Sequence, residues 1–289
     1  MLDPFNNNAP LPTFQNQVIG NPDLQPEEAD TTGIGIVFQP SFLSGFSTSV
    51  DYYDIDVAGA VASVGAQETL NRCFLGQQNL CDNITRDANG QITYVTSLPV
   101  NLNNLRQKGV DIEASYTSDI GTFVSGWRGN IELRALGTHV ITSRRDDGVN
   151  PVQDFAGDNS GQGPLNWRWL FSATYSLDAV TVAWTGRSLS SGEYNPNYIE
   201  CRANCPVSIP SAQTIDYNHI DGRFYHDLSL SYQFDFAGGT NAQIYLNVVN
   251  ALDEQPPPVA SAQYWYMPTN PQLYDTIGRA YYAGVRFRL

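Results

Sequence analysis

Hydrophobic and polar residues alternate with a period of two along several segments of the chain, the pattern of a β-strand with one apolar and one polar face. In the final segment the apolar face carries Tyr281, Ala283, Val285, Phe287 and Leu289. The opposite face carries Tyr282, Gly284, Arg286 and Arg288. Similar alternation predicts nine strands, at 32–38, 46–58, 106–118, 127–142, 165–176, 179–187, 222–235, 241–252 and after 275.

The links between the predicted strands alternate between short and long. The short links are 39–45, 119–126, 177–178 and 236–240, and the long ones are 59–105, 143–164, 188–221 and 253–275. Outer-membrane β-barrels have this arrangement, with short periplasmic turns and longer extracellular loops. A β-sandwich has no physical reason to place every long loop at one end. The pattern therefore predicts an all-β, antiparallel transmembrane barrel wall. Inside the longest loop we also predict a short helix at 66–75 and a turn at 87–90.

Large aromatic residues support a membrane location for these strands. They gather near strand ends on the apolar face, at Tyr52, Tyr116, Trp167, Tyr175, Phe224, Phe234 and Phe236. Aromatic girdles of this kind mark the two interfaces of a bilayer. The alternative is that these rings form the core of a soluble all-β protein.

Composition excludes some classes of function. The chain of 289 residues carries a formal net charge of −14, so we expect no binding to nucleic acid, whose affinity comes largely from basic residues on phosphates. The chain contains no run of about 18 apolar residues, so we predict no transmembrane helix. The first residues lack the basic and apolar regions of a secretion signal. We expect the true start of the protein to lie upstream of Met1.

The four cysteines form two close pairs in polar stretches, Cys73 with Cys81 and Cys201 with Cys205. Neither pair has a neighbouring histidine, so a zinc site is a poor interpretation. Two local disulfides formed in an oxidising compartment fit better. The alternative is four unrelated free thiols.

We expect neither enzymatic chemistry nor a cofactor. His226 and Asp227 are adjacent, but strand alternation directs them to opposite faces, and no serine has the G-x-S-x-G context of a nucleophile. Four carboxylates crowd one long loop at Asp146, Asp147, Asp154 and Asp158. Their spacing matches no EF-hand, so we interpret them as a solvated loop and predict no metal site.

The best ligand-binding candidates are aromatic residues in the long loops. The last loop holds Tyr264, Trp265, Tyr266 and Tyr274, and the loop with the second cysteine pair holds Tyr194, Tyr198 and Arg202. Exposed Tyr and Trp bind flat or ringed ligands by apolar contact and add a hydrogen-bonding edge. The alternative is that these rings cap the barrel rim or anchor it to lipopolysaccharide.

Three segments resemble the family of TonB-dependent receptors. Residues 21–27, NPDLQPE, look like a segment found late in the barrel, and residues 247–257, NVVNALDEQPP, are similar to the penultimate strand and the turn after it. The ending YAGVRFRL resembles the assembly signal of outer-membrane barrels, in which Gly284 is followed by apolar Phe287 and Leu289. The terminal leucine departs from the commoner aromatic residue.

The resemblance implies a barrel of about 22 strands around a plug, of which this chain would be the C-terminal nine strands without the plug. Residues 1–31 would be an extracellular loop and residues 32–289 strands and loops. Nine is an odd number, whereas bacterial single-chain barrels have even numbers, so we expect a fragment.

The resemblance also implies a function. The intact protein would be an outer-membrane receptor for TonB-energised uptake of a scarce nutrient of siderophore, cobalamin or oligosaccharide type. Its partners would be outer-membrane lipid and lipopolysaccharide, the barrel assembly machinery, a small-molecule or oligosaccharide ligand, and the TonB complex through a region that this chain lacks. The alternatives are a passive porin-like channel, a secreted all-β carbohydrate-binding or adhesion module and an outer-membrane hydrolase.

Overall fold

The computed structural model describes residues 1–11, 13–148, 150–208, 213–236, 240–259 and 267–288. Nine long strands form one sheet in chain order. Their bounds are β1 Glu28–Phe38, β2 Phe46–Ser63, β3 Pro99–Asp119, β4 Asn130–Asp146, β5 Trp167–Leu177, β6 Val180–Leu189, β7 Arg223–Phe236, β8 Thr240–Val249 and β9 Ala280–Arg288. The nine predicted strands and the all-β fold class are confirmed. Strands β1 and β9 are the two ends of the sheet, so the sheet is not closed into a barrel.

The register of the antiparallel pairs from β4 to β9 aligns side chains of the same character. Leu230 of β7 lies opposite Val182 on one side and Leu246 on the other, and Leu246 lies opposite Ala283 of β9. Leu230 is 47% exposed and Leu246 43% exposed. One face of the sheet thus presents aliphatic side chains side by side to its surroundings.

The opposite face carries polar pairs between neighbouring strands. Arg134 Nη2 lies 2.7 Å from Glu113 Oε1, and Arg187 Nε lies 3.0 Å from Asp227 Oδ2. The Ser229 hydroxyl donates to Asn247 Oδ1 at 2.7 Å. Cross-strand pairs of opposite charge and paired polar groups stabilise neighbouring strands. The predicted division into one apolar and one polar face is therefore present in the sheet.

Two strands are longer than the sequence pattern predicts. Strand β2 continues to Ser63, whereas the prediction ended at 58, and β3 begins at Pro99 rather than at 106. The added residues of β2, GAVAS at 59–63, do not alternate in polarity. Backbone hydrogen bonds hold a strand in its ladder whatever the side chains are, so a prediction from polarity ends too early there. Strand β1 likewise begins at Glu28, inside the segment 1–31 that was predicted to be a loop.

Residues 1–30, 55–106 and 145–153 form a compact unit of their own. It contains helix α1 Ala66–Phe74, helix α2 Gln78–Cys81, and a small sheet of Gln15–Val18, Ile84–Arg86 and Ile92–Ser97. Leu70, Ile92 and Val95 are its buried core. The predicted helix at 66–75 is confirmed. Among the described residues, no helix is long and apolar enough to cross a bilayer.

Three ion pairs, each with one buried partner, and a disulfide hold this unit together. The Arg72 side chain is 4% exposed and contacts Glu68 and Asp147, each at 2.6 Å. Arg86 donates to both carboxylate oxygens of Asp3 and thereby lowers the pKa of Asp3. Cys73 and Cys81 are bonded and join the two helices, as predicted.

The second unit comprises residues 31–54, 107–144 and 154–289. Besides the long strands it contains short ones at Gly192–Glu193, Ile199–Glu200, Thr214–Ile215 and His219–Ile220. Further short elements of the chain are the strands Leu2–Asp3, Ala9–Pro10 and Gln153–Asp154 and the 3-10 turns Pro4–Asn6 and Ile120–Thr122.

Candidate functional site

The loops after β4, β6 and β8 pack together in the second unit, and we call their described residues, 154–166, 190–208, 213–222, 250–259 and 267–279, the loop assembly. Successive antiparallel strands place every second link at the same end of a sheet, so these three loops leave at one end. Their shared core holds Leu165, Leu189, Ile220, Tyr225, Val259 and Tyr274. Burial of these side chains fixes the loops against one another, since apolar area removed from water stabilises by roughly 25 cal/mol per Å².

Buried asparagines provide the polar connections of the loop assembly. Asn159 Nδ2 donates to Ser190 O and to the Tyr274 hydroxyl, both at 2.9 Å. Asn218 Nδ2 donates to Asn195 O at 3.0 Å, and Asn218 Oδ1 accepts from Asn195 N at 3.1 Å. An amide side chain offers both a donor and an acceptor, so it can satisfy a loop backbone that has no ladder partner.

Asp158 is a buried carboxylate at the centre of its loop. Its Oδ1 atom accepts from the Ser160 amide and the Ser160 hydroxyl, each at 2.8 Å, and from the Gly161 amide at 3.2 Å. Its Oδ2 atom has no hydrogen-bond partner within the described residues. Burial raises the pKa of Asp158, because desolvation disfavours the charged form more than these hydrogen bonds favour it.

A cleft of about 380 Å³ opens in the loop assembly, and we call it the tyrosine cleft. It is lined by Tyr194, Ile215, Asp216, Tyr217, His219, Ile220, Asp221, Pro257, Pro258 and Val259. The Tyr194 ring packs against Tyr198 with centroids 6.0 Å apart. The Tyr217 ring contacts His219 edge-on at 6.4 Å. His219 Nε2 lies 3.3 Å from Asp221 Oδ1.

The second disulfide lies beside this cleft. Cys201 and Cys205 are bonded, as predicted, and Cys201 N donates to Ile215 O at 2.8 Å. Arg202 follows directly: its Nε donates to Asp216 O at 3.0 Å, and its guanidinium lies 5.8 Å from the Tyr217 ring centroid. The disulfide and these contacts hold Arg202 against one side of Tyr217 by a cation–π interaction.

The structure brings some predicted ligand residues together and separates others. Tyr194 lines the tyrosine cleft, and Tyr198 and Arg202 support its walls. Tyr274 lies in the core of the loop assembly, 3% exposed, where it supports the loops from inside. Tyr264, Trp265 and Tyr266 lie outside the described residues, as does Leu289 of the predicted assembly signal. Gly284 and Phe287 lie on β9, opposite Tyr245 and Ala242.

Sequence reasoning did not single out Asp216, Tyr217 or the proline pair as part of a site. For Asp216 and Tyr217 the sequence offered one signal, their closeness in the chain to other aromatic residues and to His219. Pro257 and Pro258 belong to a different loop, so the sequence did not connect them with this site. The four clustered carboxylates have separate roles. Asp154 pairs with Arg144 and Asp147 with Arg72. Asp158 bonds to its own loop, and Asp146 accepts a hydrogen bond from the Gly148 amide.

A second concavity, of about 340 Å³, lies along β4 to β7 on the polar face. Arg168, Arg187 and Thr138 line it, together with Tyr225 and Leu273. Arg187 pairs with Asp227 and lies 5.1 Å from the Tyr225 ring centroid. Arg168 forms no ion pair with any residue that the structure describes, so its guanidinium is available to a ligand in this concavity.

Comparisons with known proteins agree with this architecture. The family model for TonB dependent receptor-like β-barrels matches residues 3–251. The FrpB iron transporter from Neisseria meningitidis and the siderophore receptor PirA from Acinetobacter baumannii each share 15% identity, with a TM-score of 0.55 over 93% of this chain. A mutant of the ferric enterobactin receptor PfeA from Pseudomonas aeruginosa shares 12% identity with a TM-score of 0.56.

At these identities the likeness to solved structures concerns the fold. The chain covers 32% of the length of each of these three proteins, and no curated protein matches it. The family match, in contrast, extends over most of the sequence and over eight of the nine strands. The chain therefore belongs to the TonB-dependent receptor-like β-barrel family.

Proposed function

We propose that this chain is the C-terminal part of an outer-membrane receptor that imports a scarce nutrient by TonB-energised transport. Barrels of this family lie in the bacterial outer membrane. The observation that carries the proposal is a sheet with one aliphatic face and one polar face, in which three long loops of the second unit pack around a preformed cleft. A channel wall needs the two faces, and a receptor needs the cleft.

In this proposal each face of the sheet has a distinct task. The aliphatic face contacts lipid, and the ion-paired face with Arg134 and Arg187 lines the lumen. The tyrosine cleft receives the ligand from outside. Binding and gating are the only chemistry required of these residues, and no covalent step is assigned to the chain. Energy enters through the TonB complex.

The same proposal implies which partners the receptor has in the membrane. The exposed aliphatic face requires outer-membrane lipid, with lipopolysaccharide next to the loops. The barrel assembly machinery would recognise strand β9, which carries Gly284 and Phe287. The ligand itself is a molecule too large for porins, of siderophore, cobalamin or oligosaccharide type.

Uptake measurements test this proposal directly. Cells with the intact receptor should accumulate the labelled nutrient, and deletion of the TonB gene or collapse of the proton gradient should abolish accumulation while surface binding persists. Accumulation that continues after TonB deletion would indicate a passive channel. Recovery of the protein in the soluble fraction without detergent would indicate a secreted module and reject the receptor.

A further inference from the structure

The tyrosine cleft combines two phenol rings, an uncommitted carboxylate and an imidazole. We propose that it binds a neutral polyhydroxylated ring, one sugar unit of an oligosaccharide, in preference to an anionic iron chelate. This inference deepens the proposed function and rests on it, because it names the class of nutrient that the loop assembly admits.

The aromatic surfaces of the cleft fit the apolar face of a sugar ring. Tyr217 is 56% exposed, and its contacts with Arg202 and His219 hold the ring in place. Tyr194 stands on the same cleft and is supported by Tyr198. Aromatic rings that are held before binding lose little conformational freedom when a ligand packs against them. Ile215 and the proline pair extend the apolar wall.

The polar groups of the cleft fit hydroxyl groups. The Asp216 carboxylate forms no hydrogen bond or ion pair with the described residues, and the same holds for the hydroxyls of Tyr194 and Tyr217. An ionised carboxylate accepts several hydrogen bonds, while a phenol both donates and accepts. Neighbouring hydroxyls on a sugar ring can therefore donate to Asp216 and exchange bonds with the tyrosines. A site that pairs each ligand hydroxyl in this way selects for it.

The charges around the cleft disfavour an anion. Asp216 and Asp221 line it, and no lysine or arginine does. Arg202, beside the cleft, is held by the Asp216 carbonyl and the Tyr217 ring. Arg223 lies 3.4 Å from Glu254 and 3.9 Å from Asp221. The formal net charge of the chain, −14, has the sign that disfavours approach of negative ligands.

An anionic ligand would find a better partner elsewhere on this chain. Arg168 lines the concavity on the polar face together with Arg187, and no carboxylate is among its lining residues. The two concavities thus differ in the charge they present. Substitutions can therefore test which concavity a given ligand uses.

The experiment measures ligand binding to the purified intact receptor in detergent. A neutral glycan array finds the best glycan, and titration calorimetry then compares it with ferric enterobactin as an anionic probe. We expect a neutral glycan to bind. We expect Asp216→Asn to weaken it by about tenfold, the loss of one hydrogen bond to a charged group. Tyr217→Ala should weaken it further, whereas Tyr217→Phe should retain most of the ring contact.

Asp216→Asn leaves the backbone carbonyl that holds Arg202, so the loop keeps its support. Asp235→Asn is the matched control, because Asp235 is an exposed carboxylate near the far end of β7. It should bind glycan like the parent. Surface amounts of every variant, measured by cell-surface labelling, show that assembly is unchanged.

Three results would overturn the inference. Ferric enterobactin binding that tightens with Asp216→Asn and is lost with Arg168→Ala would assign an anionic ligand and leave TonB-energised uptake intact. Glycan binding that is insensitive to Asp216 and Tyr217 would place the sugar elsewhere. Absence of binding by every neutral glycan would also reject it. Failure of the proposed function is a separate observation, because uptake would then be independent of TonB.

Discussion

At the residue scale, an aromatic stack on the apolar face explains two glycines inside strands. His139, Trp167, Trp169 and Phe171 stack in sequence, with centroids 4.3, 5.5 and 5.6 Å apart. Trp169 lies flat over Gly137, its partner on β4, and a Cβ there would lie 2.6 Å from two of its ring atoms. A Cβ at Gly186 would likewise lie 2.6 Å from the Trp184 ring and 2.8 Å from the Phe224 ring. Glycine costs strand stability by itself, and the ring that covers it compensates.

Gly137→Ala should therefore destabilise the receptor, because the added methyl group displaces the Trp169 ring. We expect a loss of about 1–3 kcal/mol, the usual cost of overpacking, measured as a lower temperature for loss of the compact band on unheated gels. Gly20→Ala is the control, since a Cβ there has nothing within 4 Å. Equal stability of the Gly137 variant and the parent would contradict the close-approach explanation.

Asp158 gives the loop assembly a pH dependence of unusual sign. Its raised pKa means that the folded loop holds the proton more tightly than the unfolded chain does. Its contribution to stability is therefore greatest in acid, and it falls as pH rises from the ordinary 3.8 through the folded pKa. Asp3, whose pKa Arg86 lowers, behaves oppositely: its contribution is full above 3.8 and is lost in acid as pH falls through the folded pKa.

Asp158→Asn should flatten this dependence, because the amide does not titrate. Hydrogen exchange of the Ser160 and Gly161 amides, corrected for intrinsic rates, is the measurement. In the parent their protection should decrease from acid toward neutral pH, and in the variant it should stay level. An unchanged slope in the variant would show that another group controls the loop.

At the element scale, the alternation of faces makes a prediction about neighbouring residues. Leu230 and Ser231 lie near the middle of β7 and point to opposite faces. Leu230→Arg should reduce the stability of the barrel in a bilayer by about 2–4 kcal/mol, the cost of a cation at mid-membrane on the lipid face. Ser231→Arg should have little effect, because the lumen face is wet. The measurement is a urea titration of each variant in liposomes. If Ser231→Arg proved more destabilising than Leu230→Arg, the assignment of the lipid and lumen faces would be reversed.

The disulfide between α1 and α2 makes a second prediction at this scale. Cys73→Ser with Cys81→Ser should raise hydrogen exchange throughout Ala66–Phe74, because closing so short a loop stabilises by about 2–3 kcal/mol in the loop-entropy model. The strands β5 to β9 should retain their protection, since they belong to the other unit. Loosening of those strands would show that the two units unfold together.

At the scale of the whole molecule, the open sheet constrains whatever completes it. In an antiparallel sheet of nine strands, the first and last run in the same direction, so they cannot pair antiparallel with each other. Closure with antiparallel pairs requires an odd number of further strands, and about 13 would give the 22 of large outer-membrane transporters. Unpaired edges in lipid cost several kcal/mol for each backbone group.

This chain expressed with a secretion signal but without the completing strands should therefore fail to enter the outer membrane. Co-expression of the preceding part of the receptor should restore a heat-modifiable species. Membrane fractionation and gel mobility with and without heating are the measurements. A stable, heat-modifiable barrel from this chain alone would show that closure does not require an odd number of further strands.

The sequence by itself determined the strand order, the two faces and the cysteine pairs, because each follows from local pattern. A period of two fixes which residues of a strand share a face, and a short separation makes Cys201 and Cys205 partners. It also indicated Tyr194 and Arg202 as residues of interest. It did not reveal the extensions of β2 and β3, which depend on backbone pairing.

Only the tertiary structure decided which loop residues meet. Pro257 and Tyr194 are far apart in the chain and line one cleft, while Tyr274, predicted as a ligand residue, is buried against Asn159. Loops carry no periodicity, so their contacts are set by long-range packing and by buried polar groups that must find partners. The alternation of apolar and polar residues along each strand determines the two faces of the barrel wall. The cleft forms only when residues from separate loops pack together.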